Sequence, residues 1–140
     1  MVPVAAVEEI VEIDPARTTR TPQRGGGGVE VRLIERRGVA VPLLQLDEVF
    51  ALPRDEGAAP TGLHRKAIVV RRGGSPYAFG VDRMLGQQEV VVRPVIDPLV
   101  RVPGVAGSTD LGDGRPVLVL DLIQLSERIA ADATRRSLPP

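Results

Sequence analysis

A chain of 140 residues with eighteen basic and eighteen acidic side chains, no cysteine, no tryptophan, one tyrosine and two phenylalanines has room for one domain, or for two small lobes sharing one core. The missing thiols exclude disulfides, thiolate catalysis and cysteine-based zinc sites, and a neutral chain so poor in aromatic rings argues against a nucleic-acid role. Apolar runs such as residues 117–120 fall far short of the roughly 20 residues that span a bilayer, so direct membrane insertion is not expected, and no signal-peptide pattern opens the chain.

Thirteen prolines and fifteen glycines among Val, Leu and Ala predict short strands and tight turns. Residues 7–13 alternate imperfectly and end at Asp14-Pro15, which reads as a strand and then a turn. Residues 18–28 hold Pro22 and four consecutive glycines, a composition expected to form a loop. Val29-Glu30-Val31-Arg32-Leu33 alternates with period two, Arg36-Arg37-Gly38 turns the chain, and residues 39–44 return it as a hairpin. Asp47 is expected to cap a short helical turn ending at Phe50, and residues 53–62 read as a second loop. Residues 67–71 and 77–81 form a second predicted hairpin, and residues 88–95 a further strand. Leu122, Leu125, Ile129 and Ala130 recur at helical spacing and predict a helix over 122–131, followed by a frayed tail.

A weak internal repeat runs through this pattern. Pro42-Leu43-Leu44-Gln45-Leu46-Asp47 and Pro116-Val117-Leu118-Val119-Leu120-Asp121 share Pro, Leu, Leu and Asp at equal spacing, and Glu9-Ile10-Val11 matches Glu89-Val90-Val91. Two similar β lobes follow as an expectation. The second copy is preceded by residues 77–81, whereas only residues 1–4 precede the first, so an opening strand is expected to be missing and the chain to be an excised piece.

Catalytic motifs fail one by one. Asp110-x-Gly112-x-Gly114 has the adenine-binding spacing of one ATPase class, but that site also needs an asparagine for magnesium, and the chain contains none. The oxygen pattern of a calcium loop is absent after Asp110. Asp113-Gly114 reads instead as a two-residue hairpin turn. His64 is the sole histidine, so no histidine pair can be drawn, and its place in a Pro-Gly loop predicts a solvated residue. No serine has a histidine base in company. What remains is surface: Val7, Glu9, Arg37, Gly38 and Val39 combine small or apolar side chains with single charges near a strand end and a turn. That pattern fits either an edge used for partner binding or an ordinary polar rim.

The run Tyr77-Ala78-Phe79-Gly80-Val81-Asp82-Arg83-Met84-Leu85-Gly86-Gln87-Gln88-Glu89-Val90-Val91-Val92-Arg93-Pro94 resembles the CheW-like regulatory domain at the C-terminus of CheA-type chemotaxis histidine kinases. Val102-Pro103-Gly104-Val105-Ala106-Gly107, Leu111-Gly112-Asp113-Gly114-Arg115 and Leu118-Val119-Leu120-Asp121 follow the second-lobe pattern of that family. Arg37-Gly38-x-x-Val41-Pro42-Leu43 and Val4-x-x-Val7-Glu8-Glu9-Ile10-Val11 follow the first. The Gly86-Gln87-Gln88-Glu89 run is closer to the kinase's domain than to the free-standing adaptor CheW.

The resemblance implies a mostly β, CheW-like fold of two five-stranded Src-homology-3-like barrels in a domain spanning 1–131. Its lobes would cover 1–52 and 66–121, with a helix over 122–131 and a disordered tail or linker over 132–140. It also implies no catalysis and no cofactor. The implied partners are a CheW-like adaptor, the cytoplasmic tips of chemoreceptors, and the ATP-binding and dimerisation domains of a parent kinase, in the cytoplasm at membrane-associated receptor arrays. Val7, Glu9 and Arg37 match positions at which adaptor relatives contact receptor tips. A stand-alone CheW-like scaffold is the other role the same fold allows. Three features depart from the pattern: Asp110 stands where the family has an apolar residue, Gly25-Gly26-Gly27-Gly28 replaces more ordinary sequence, and the first strand is short.

Overall fold

Ala67, Ile68, Val69 and Val70 are each 0–5% exposed, so one strand is buried on both faces, and the remaining elements are arranged around it. The computed structural model describes residues 1–24, 30–50, 64–94, 104–111 and 114–137. In chain order the strands and helices are β1 (Glu9–Glu12), β2 (Thr18–Arg24), β3 (Glu30–Arg36), β4 (Val39–Gln45), α1 (Leu46–Val49), β5 (Lys66–Arg72), β6 (Ser75–Val81), β7 (Arg93–Pro94), β8 (Val105–Asp110), β9 (Pro116–Leu120) and α2 (Leu122–Ser137). The chain is mostly β, with two sheets. One has six strands in the order β1-β5-β6-β4-β3-β2, and the other has three in the order β7-β8-β9.

The six-stranded sheet curls. β5, β6 and β4 separate β1 from β3 in the sheet order, yet Ile13 just beyond β1 and Ile34 on β3 share one buried cluster with Val41, Leu43, Ala67, Val69 and Ala78. The alternate residues of the same strands face the other way: Leu44, Ile68, Val70 and Phe79 pack with Leu122, Leu125 and Ile129 of α2. The spacing of 122, 125 and 129 places those three side chains on one helix face. Asp121 caps that helix, its carboxylate accepting the Gln124 N–H at 2.9 Å. Met1 joins the smaller sheet, its amino group donating to Leu118 O at 3.0 Å and its carbonyl accepting from Leu120 N. Burial there pushes the amino group's pKa below its ordinary value.

Several expectations change. Residues 66–81, expected in the second lobe, belong to the sheet of the first. β5 pairs with β1 (Glu9↔Val69), and β6 pairs in parallel with β4 (Leu43↔Ala78). The described strands divide six and three between the two sheets. The loop expected from residue 18 is strand β2, whose Thr18, Thr19 and Arg20 pair with Ile34, Leu33 and Arg32 before the register shifts toward Arg24. The four glycines that follow lie outside the described residues, as does the expected loop at 53–62. The strand expected over 88–95 is reduced, among its described residues, to Arg93–Pro94.

Helix α2 runs to Ser137 rather than ending at residue 131, so much of the expected tail is helical. Ala131, Asp132, Ala133, Thr134, Arg135 and Arg136 contain no Gly or Pro, and the backbone restriction imposed by Pro139 falls only on residue 138. Asp47 lies within α1 instead of capping it; residue 45 is the N-cap and makes no side-chain capping bond.

The first copy of the repeated hexapeptide runs from β4 into α1, and the second runs along β9 to Asp121, just before α2. The β8–β9 hairpin is closed by Leu111 N→Arg115 O at 3.3 Å and Gly114 N→Leu111 O at 2.9 Å. Gly114 takes a φ of 79°, where glycine avoids a Cβ clash. The loop is thus longer than the expected two-residue turn, and Asp113 lies outside the described residues.

Candidate partner-binding surface

The β3–β4 turn places Arg37 and Gly38 between the paired residues Arg36 and Val39. Arg37 has a φ of 53° and Gly38 of 78°, and two successive left-handed residues are the signature of the type I′ turn that matches strand twist. Gly38 supplies that conformation without strain; Arg37 does not, because its Cβ opposes it. The turn holds the Arg37 side chain out, 78% exposed.

Behind it lies an ion network. Arg36, its side chain only 11% exposed, pairs with Glu9 and lies 3.8 Å from Glu8. Arg71 donates from Nε to Glu8 at 3.0 Å and from Nη1 to the Gly74 carbonyl at 3.2 Å. Arg37 approaches the same Glu9 carboxylate, but only to 3.8 Å. Three guanidinium groups thus share two carboxylates, and Arg37 is the most weakly engaged of them. Val39 beside it is 51% exposed.

Glu9, Arg37, Gly38 and Val39 are therefore gathered at one corner of the six-stranded sheet. Val7 is placed differently: its side chain is partly buried and packs against the cluster between the sheet and α2. Sequence reasoning missed Glu8, Arg36 and Arg71, which lock the corner. The only local signal was the doubled charge at Glu8-Glu9 and Arg36-Arg37. Arg17 and Glu35 were also missed; with Arg37 and Gly38 they line a notch of ≈430 Å³.

Two other candidates are repositioned. His64 is buried, not solvated: its Nε2 lies 3.1 Å from Asp47 Oδ2, and its backbone N–H donates to Gln45 Oε1 at 3.3 Å. Gln45 finds room because residue 80 is glycine; a Cβ there would fall 2.4 Å from Gln45 Oε1. Asp110 ends β8 on the surface, 3.7 Å from Arg93 Nη2. Among the described residues no helix is long and apolar enough to cross a membrane.

A curled sheet backed by a helix, joined to a second sheet that repeats the strand-to-helix junction, defines the class. Residues 1–130 match the CheW-like domain, and the chain belongs to that family. Similar proteins include several named chemotaxis protein CheA. That of Bacillus subtilis is 36% identical over 120 residues, 86% of this chain and 16% of the relative. That of Salmonella typhimurium is 32% identical over 125 residues, 89% of this chain and 17% of the relative, and that of Treponema pallidum is 33% identical over 91 residues. The chain thus spans about a sixth of the length of the first two relatives.

Proposed function

We propose that this domain is a non-catalytic regulatory and coupling module of a CheA-type sensor histidine kinase. In this reading it binds a CheW-like adaptor and the helical tips of chemoreceptors, and relays receptor state to the kinase core. The observation that carries the reading is the pairing of a CheW-like domain over residues 1–130 with relatives named CheA that align across 86–89% of the chain. The surface supports it. Glu9, Arg37, Gly38 and Val39 form a corner in which a locked ion network presents one weakly engaged cation beside an exposed valine, as suits a polar interface rim with an apolar contact. The Gly86-Gln87-Gln88-Glu89 run favours the kinase's own domain over a stand-alone adaptor. Activity of a reconstituted kinase with and without this domain, in the presence of receptor and adaptor, tests the reading; receptor control that persists unchanged without the domain contradicts it.

A further inference from the structure

We draw no further inference here: the strongest candidate, the β9 edge of the smaller sheet, where Leu118 is 54% exposed beside the backbone bonds made by Met1, carries nothing because nothing in the structure shows what covers it.

Discussion

His64 Nε2 lies 3.1 Å from Asp47 Oδ2, with 7% and 13% of the two side chains exposed. The contact ties the residue that leads into β5 to the short helix that follows β4. Removing either partner loses this contact from a largely enclosed site, which costs about 1–3 kcal/mol. His64→Ala and Asp47→Ala are each expected to lower the denaturation midpoint by that amount. The double variant should fall short of the sum, because the contact between the two can be lost only once. Fully additive losses would show that the two side chains do not interact.

Arg37 occupies a backbone conformation that suits asparagine or glycine better than arginine. Arg37→Asn, which creates an Asn-Gly turn, is expected to stabilise the fold by a few tenths to about 1 kcal/mol while weakening receptor-tip binding. Thermal melts and titrations on the same preparation check both halves. A variant that gains stability and keeps full affinity would reduce Arg37 to an ordinary turn residue.

Two glycines are fixed by space rather than by φ. A Cβ at residue 107 would lie 2.3 Å from the Arg93 carbonyl oxygen, which is backbone and cannot rotate away, whereas a Cβ at residue 80 would meet the side chain of Gln45. Gly107→Ala is therefore expected to separate β7 from β8, seen as faster amide exchange at β7 and β8. Gly80→Ala should displace Gln45 at a cost of about 1–3 kcal/mol. Unchanged exchange at β7 and β8 in Gly107→Ala would contradict the close approach.

Leu122 is fully buried between α2 and the outer face of the six-stranded sheet. Leu122→Ala is expected to cost about 2–5 kcal/mol through lost burial and the cavity left behind, measured by urea denaturation. A loss below 1 kcal/mol would mean that α2 contributes little to the fold.

The legible parts of the chain were those set by local chemistry. Gly38 announced its turn because a left-handed position favours glycine, and 122, 125 and 129 announced a helix because their spacing is that of one face. The parts that were not legible depend on distant partners. Thr18–Arg24 reads as a loop until β3 lies beside it. Residues 66–81 cannot be assigned to a lobe without the parallel pairing of β4 with β6. His64 looks solvated until Asp47, far back in the chain, is brought against it. At the candidate surface, the sequence pointed to Glu9, Arg37, Gly38 and Val39, but the network that holds Arg37 out from the corner draws Arg71 from a different hairpin, and Arg17 joins the notch from the turn between β1 and β2.

The coupling role is tested most directly by calorimetric titration of the cognate CheW-like adaptor into this domain. Saturable one-to-one binding is the expected result, with no heat from added ATP. Absence of any adaptor interaction at hundreds of micromolar would contradict it.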